Sequence, residues 1–456
     1  MKPISIIGAG QAGTLLSMAL QANGHQVNLY TDKTAEEILH NTSPTGTAAL
    51  FHESVATERR LGCPGYDDKG VPMDALHLCF SPKVGQELVH FGSDLGASAG
   101  GAVDVRLKSY DRMVRLTELG GNVVVKSVEP TDLDDIAENS ALTIVSTGKY
   151  GLSSLFQRNA ERSVYDKPQR NLAMVLVRGI ATDGSAFSNR VPGSTAVNFN
   201  LFGDAGEIFW VPFLHKSGEN VWCLVFEAKP GGPLDVWADV TTASEAFATA
   251  SRLAREFTPW DWPSMQQMEP LLDDPHSWLK GRVTPSVRAG LGTTPGGKPM
   301  MSLGDTSVAY DPIAGQGAGS GIRQAGHYFD AIVRHGSGDF DAQWIDTTFE
   351  DFYASHIAGT YRFTNLLLEP LDKTAVRIMT SCFADQKCAT RFAQTFDAPP
   401  TAFPWIADRD AADGWIAENS GRAPGRVVAS GLGKIAAGQL RNKLRGSHFP
   451  RAEARR

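Results

Sequence analysis

Two glycine-rich stretches carry the residues whose types and spacing could do chemistry. The first, Gly8-Ala9-Gly10-Gln11-Ala12-Gly13, follows an apolar run from Ile4 to Ile7 and opens a helix reaching Asn23, after which Val27 to Tyr30 reads as a second strand. In that strand-turn-helix-strand setting GxGxxG predicts a dinucleotide-binding turn. Gly8 permits the tight bend, Gly10 lets a diphosphate approach the main chain, and Gly13 lets helix and strand pack closely. The helix start at Gln11 and Ala12 would turn roughly half a positive elementary charge toward the phosphates. An acidic residue after the second strand would hold the adenosine ribose; strict spacing falls on Thr31, and Asp32 follows one position later. The turn alone does not separate FAD from NAD(P).

The second stretch, "LGDTSVAYDPIAGQGAGSG" at 303 to 321, decides for FAD. Met301 to Leu303 reads as a strand that delivers Gly304-Asp305, and an Asp at a strand end suits the hydroxyls of a ribityl chain. Pro312, with no backbone donor, can flank a flat isoalloxazine ring. Gly315-Gln316-Gly317-Ala318 then opens a helix running to about Val333, whose N-terminus suits the pyrimidine edge where negative charge collects on reduction. The glycines let main chain from Pro312 and Gly315 touch the ring, so no side chain is assigned as catalyst.

The elements behind these stretches belong to a chain of 456 residues, 42% apolar, long enough for two or three domains. Five cysteines (Cys63, Cys79, Cys223, Cys382, Cys388) form no CxxC and have no His at ligand spacing, so neither a disulfide framework nor a metal site is indicated. His25, His40, His52, His77 and His90 are scattered and read as surface or packing residues. The net charge of −7 divides into +8 over 421–456 and −15 over the rest, which leaves the folded part no basic face for nucleic acid. The chain runs from Met1 straight into a strand, without the segments of a signal peptide, and no apolar run approaches the roughly 20 residues of a membrane span. A cytoplasmic protein is expected.

Several motifs together resemble the FAD-dependent monooxygenases built on the aromatic hydroxylase fold, and within them the styrene and indole monooxygenase branch. They are GAGxAG at the start, "YTD" at 30–32, "TGKYGL" at 147–152, "YDKPQR" at 165–170, "PSVR" at 285–288, and "LGD" followed by "DPIAGQGA". The resemblance implies an α/β fold with a Rossmann-type FAD-binding domain of the glutathione-reductase-like class, an inserted β-rich substrate domain and C-terminal helices. The expected boundaries are 1–165 and 285–335 for the two parts of the FAD-binding domain, 166–284 for the substrate domain, 336–420 for helices, and 421–456 for a basic, flexible tail. By resemblance Arg106, at the start of a predicted helix, would contact the flavin's phosphate or ribityl portion, its alternative being an ordinary surface Arg. Single-component hydroxylases carry an Asp-Gly motif where this chain has Thr147-Gly148, and no second GxGxxG exists. The resemblance therefore implies that reduced FAD arrives as a co-substrate from a separate NADH-dependent flavin reductase, a transient partner. With O2 it would form a C4a-hydroperoxide that passes one oxygen to a small apolar aromatic substrate, an aryl alkene, indole or thioether. A homodimer is the assembly carried forward.

For the substrate region, alternation along 196–233 predicts strands with Phe209, Val211 and Phe213 on one face and Ile208 and Trp210 on the other. One face must meet the helix predicted at 239–256; Phe209, Val211 and Phe213 are assigned to the substrate pocket. In the loop 42–50, Gly46, Ala48 and Leu50 stand where the styrene branch has Asn, Val and His and the indole branch Ser, Gln and Met, which implies a wider, apolar wall. Gly319 stands where the family has Asn, which implies one lost flavin contact. Three rivals remain: a flavin-dependent halogenase, suggested by Trp260-Asp261-Trp262 but lacking a halogenase Lys; a single-component hydroxylase; and a non-enzymatic FAD-binding scaffold or sensor. The preferred reading of the two tryptophans is a Trp-Pro corner packed on the core.

Overall fold

The computed structural model describes residues 2–444 apart from 48, 64, 67, 82–88, 97, 98 and 150. The chain divides into two compact units, each assembled from three separate stretches: 2–68, 103–169 and 283–364 in the first; 69–102, 170–282 and 365 onward in the second.

In the first unit, short runs of Ile, Leu and Val build a six-stranded sheet. Its order is Leu291–Thr293, Pro299–Ser302, Leu142–Val145, Ile4–Ile7, Val27–Thr31, Asn122–Val125, parallel except for the pairing of the first two. The two central strands, Ile4–Ile7 and Leu142–Val145, are buried along their whole length, as a sheet covered on both faces requires. One face buries Ile4, Ile6 and Leu29 with Leu15, Leu16 and Leu20 of the helix Gln11–Ala22 and with Ile322, Ala325 and Tyr328 of the helix Gln316–His335. The other face buries Ile7, Val145 and Met300 against Leu133, Ile136 and Phe156. This is the doubly wound arrangement expected, and both helices begin where the glycine motifs place them.

In the second unit an eight-stranded, mainly antiparallel sheet runs Glu269–Pro270, Asn171–Arg178, Asn220–Ala228, Gly206–Leu214, Ala196–Phe202, Ala75–Ser81, Val89–Asp94, with Trp278–Arg282 also pairing with Asn171–Arg178. The helix Ala243–Phe257 lies on one face, its Ala246, Ala250, Leu253 and Phe257 buried against Ile208, Trp210 and Phe226.

Two expectations about boundaries are corrected. Strands Ala75–Ser81 and Val89–Asp94 belong to the substrate-type sheet and not to the dinucleotide-type unit, because Ala75–Ser81 pairs in parallel with Ala196–Phe202, with Ala75 opposite Ala196. The basic tail is not an irregular extension over its first part: Pro424–Leu444 is a helix that packs on the helix Lys373–Ala384. Among the described residues no helix is long and apolar enough to cross a membrane, no group of three or more His, Cys, Asp or Glu could hold a metal ion, and the five cysteines are buried thiols.

Candidate functional site

The strand Ile4–Ile7 leads to Val27–Thr31 on one side, whereas its other neighbour, Leu142–Val145, leads on to Pro299–Ser302 on the far side, so the chain leaves the carboxyl ends of these two adjacent strands in opposite directions. Such a switch point opens a crevice for a ligand. The first loop there is the glycine turn. Gly8 takes φ +115°, and a Cβ at that position would lie 2.3 Å from the Ser146 carbonyl oxygen; one at Gly13 would lie 2.2 Å from the carbonyl of Gly8. Both positions are closed to any side chain. At Gly10, by contrast, a Cβ would meet nothing within 4 Å, leaving the main chain of the helix start open. The first turn of that helix holds no acidic residue, and both polar atoms of the Gln11 side chain are buried without a hydrogen-bond partner. Ala12 is buried in the core behind them, and Asp32 is exposed just after the second strand, paired with Lys33.

The loops after Leu142–Val145 and Pro299–Ser302 complete this edge. Thr306 Oγ1 donates to the Gly148 carbonyl at 3.0 Å, tying "TGK" to the single 3-10 turn Gly304–Thr306 that carries Asp305. Gly304 takes φ +64°, and its N–H donates to Gln324 Oε1 at 2.8 Å. Asp305 has a solvent-accessible side chain and is nonetheless ringed by protein, as a carboxylate lining a crevice would be. Burial pushes its pKa above the ordinary value, partly offset by the attraction of Lys149, whose own pKa burial lowers. Further on, Asp311 caps the turn Pro312–Ala314, Gly315 takes the left-handed φ of +63°, and the helix starts at Gln316, whose Nε2 donates to the Ala314 carbonyl at 3.0 Å. Gly317 and Ala318 lie in its first turn, again without an acidic residue. An open main chain at Gly10, helix starts free of acid, the two unpartnered atoms of Gln11 and the accessible Asp305 are donors and acceptors that FAD would use, and the residues fit that cofactor.

Three expectations change. A Cβ at Gly319 would sit 2.9 Å from Ser54 Oγ, so position 319 faces the helix His52–Arg60, and the glycine serves helix packing. Arg106 is not a surface residue. Its guanidinium is wholly buried and gripped by Asp104 (Nε 2.9 Å, Nη2 2.6 Å), while Nη1 donates to the Thr42 carbonyl at 3.1 Å, where the loop 42–50 begins. Leu50 is not a pocket wall: it is fully buried in the core with Ile4, Leu15 and Leu16. Gly46 borders open space, and Ala48 lies outside the described residues. Sequence reasoning passed over Lys149, and also Arg112, whose Nη1 donates to the Gln11 carbonyl at 2.8 Å.

In the second unit, Ile208 and Trp210 form the face toward the helix Ala243–Phe257, which leaves Phe209, Val211 and Phe213 on the opposite, apolar face beside Val225, Cys223 and Val221. All three are buried. Phe209 meets Phe199 edge-on at 4.6 Å, and Phe199 meets Phe396 at 5.5 Å, so C-terminal residues cover that end of the face. Beside the same strand the pair Pro72–Met73 and Gly100–Ala102 presents Gly101, with open space at its Cβ position. Trp260 and Trp262 pack on the core as expected of a Trp-Pro corner. The residue between them matters more: buried Asp261 accepts from Arg190 (Nε 2.9 Å, Nη2 2.6 Å) and from Trp210 Nε1 (2.8 Å).

Comparison with known proteins bears on both units. The family profile described as "Styrene monooxygenase A putative substrate binding domain" matches residues 148–263. The chain is 28% identical over 346 residues to a styrene monooxygenase StyA of Pseudomonas sp, covering 73% of this chain and 78% of that one. It is 27% identical over 383 residues to a StyA of Pseudomonas fluorescens, covering 81% and 86%. Among solved structures, the flavin-dependent halogenase CmlS superposes with a TM-score of 0.58 at 14% identity, over 97% of this chain and 78% of that one, a likeness of fold. With the dinucleotide turn, the Asp305 loop and these relatives in agreement, the chain is an FAD-dependent monooxygenase similar to the styrene monooxygenases.

Proposed function

We propose that this chain is the oxygenase component of a two-component monooxygenase, receiving reduced FAD from a separate NADH-dependent reductase and passing one atom of O2 to an aryl alkene, indole or thioether. The reading rests above all on the junction of the glycine turn, the "TGK" loop and the Asp305 turn at one edge of the parallel sheet. Bound reduced FAD would supply the two electrons with which one oxygen atom enters the substrate and the other leaves as water. The chain's own residues then have three tasks. Gly8, Gly10, Gln11, Ala12, Gly13 and Asp32 would hold the adenine dinucleotide half by main-chain donors and one carboxylate, with Arg106 fixing the start of the loop 42–50. Asp305 would accept from the ribityl chain, and Pro312, Gly315, Gln316, Gly317 and Ala318 would present main chain to the ring. The apolar face at Phe209, Val211 and Phe213 would exclude water and orient an aromatic substrate.

The absence of an Asp at 147 supports the separate reductase, since the acidic residue of the single-component enzymes is missing. The buried Asp261–Arg190 pairing supports a structural role for the Trp-Asp-Trp stretch over a halogenating one. The test is reconstitution with a flavin reductase, NADH and 18O2 on styrene, indole and methyl phenyl sulfide. Labelled epoxide, indole oxidation product or sulfoxide is expected; stoichiometric hydrogen peroxide with all three untouched would overturn the reading.

A further inference from the structure

A buried charge cluster lies directly behind the glycine turn. Lys108 Nζ donates to both carboxylate oxygens of Glu58, at 2.9 and 2.8 Å, and Arg112 Nη2 pairs with Glu58 Oε1. All three side chains are buried. Arg112 also donates to Cys63 Sγ, at 3.2 Å from Nε, and to the main-chain carbonyl of Gln11, at 2.8 Å from Nη1. Burial raises the pKa of Glu58, but Lys108 and Arg112 outweigh it and hold the carboxyl below its usual range. Burial likewise depresses Lys108, against the pull of Glu58. One carboxylate against two cations leaves the cluster one positive charge in excess.

A buried ion pair that served packing alone would be neutral, because uncompensated charge in a low dielectric is costly. Here the surplus cation ends on a peptide group whose other end is functional. The Gln11 carbonyl belongs to the same peptide unit as the Ala12 N–H, one of the donors that a helix start leaves without an intrahelical partner. A charged donor on the carbonyl polarises that unit and strengthens its N–H as a donor to an anion. It also fixes the plane of the peptide, so the N–H is aimed before the ligand arrives.

We propose that Arg112, balanced by Glu58 and Lys108, is a positioning residue for the FAD diphosphate, setting the charge and orientation of the first turn after Gly10 without touching the cofactor. This rests on the FAD reading above. It makes a prediction of opposite sign for two neighbouring residues, which damage to the fold would not produce. Arg112→Met removes the excess charge and the grip on Gln11, and should weaken both FAD and ADP by about tenfold, ADP carrying the diphosphate without the ring. Arg112→Lys should recover only part of that loss, since a lysine lacks the fork that reaches two partners. Glu58→Gln keeps hydrogen-bonding capacity and, read below neutral pH so that Lys108 holds its proton without the pull of Glu58, raises the excess charge from one to two; it should there tighten ADP several-fold at low salt, with a steeper salt dependence.

The measurement is calorimetric titration of the full chain with FAD and ADP at two salt concentrations, with thermal melts alongside. Weaker ADP binding in Arg112→Met together with tighter binding in Glu58→Gln supports the proposal. Unchanged ADP affinity in Arg112→Met, or weakening in Glu58→Gln, overturns it. If Arg112→Met does not fold, Lys108→Met, which brings the cluster to neutrality with Arg112 in place, must weaken ADP, and unchanged affinity there is equally fatal. A wild-type chain that binds neither FAD nor ADP would instead refute the flavin reading itself.

Discussion

Replacing Asp305 by Asn should move stability and cofactor affinity in opposite directions. The carboxylate is ringed by protein on a one-turn 3-10 segment, and burial raises its pKa despite Lys149. A carboxyl whose folded pKa exceeds its unfolded value binds the proton more tightly when folded, so its burial favours folding below that window and costs stability as the pH climbs through it. At neutral pH the ionised group is therefore a liability to the FAD-free protein. Asn keeps the shape and removes the charge, so the FAD-free variant should melt at or above the wild-type temperature near pH 7. Binding runs the other way. A ribityl hydroxyl donating to a carboxylate is worth about 1.5–3 kcal/mol, so losing the charge should weaken FAD by about 10- to 150-fold. Wild-type affinity should also fall as the pH drops through the raised pKa, and the Asn variant should lose that dependence. Fluorescence titration with FAD from pH 5 to 8, with parallel melts of the FAD-free proteins, reads both. A variant that binds FAD within twofold of wild type, or melts well below it, would show that Asp305 is a structural acceptor inside its own loop.

Gly13→Ala and Gly10→Ala should separate packing from binding: the first drives a methyl into the Gly8 carbonyl and should cost about 1–3 kcal/mol in urea unfolding, while the second, with open space around it, should leave stability nearly unchanged and weaken FAD. Asp261→Asn strips the charge partner from buried Arg190 and should destabilise the protein by about 3–5 kcal/mol in the same assay, far more than a surface substitution would. The chain alone should not reduce bound FAD with NADH in a stopped-flow trace; reduction within seconds would exclude a separate reductase. Phe213→Ala should extend turnover toward bulkier aryl alkenes and sulfides, whereas an unchanged product range would remove that face from the substrate site.

What could be read directly from the chain was whatever depends on a few adjacent residues. The requirement for glycine at 8 and 13 arises within one turn, and a six-residue pattern suffices to reveal it. The faces of Gly206–Leu214 were readable for a similar reason, since side chains alternate strictly along a strand and a helix expected at 239–256, found at Ala243–Phe257, had to meet one of them. Charge pairing has no such local trace. Arg106 and Arg112 look alike in sequence, yet one is neutralised by a carboxylate two positions earlier and the other reaches back to Gln11 through a cluster whose anion, Glu58, sits on a different helix. Domain boundaries failed for the same physical reason: the parallel pairing of Ala75–Ser81 with Ala196–Phe202 joins stretches far apart in the chain, and nothing in either strand states which sheet will accept it. Leu50 was misplaced because a two-residue strand carries too little alternation to show that its leucine belongs to the core. The residue that departs from the ordinary rules is Gln11. Its side-chain amide is buried with neither polar atom satisfied, a costly state for a folded chain, and it lies in the turn where a diphosphate would supply both the missing partner and the reason for the exception.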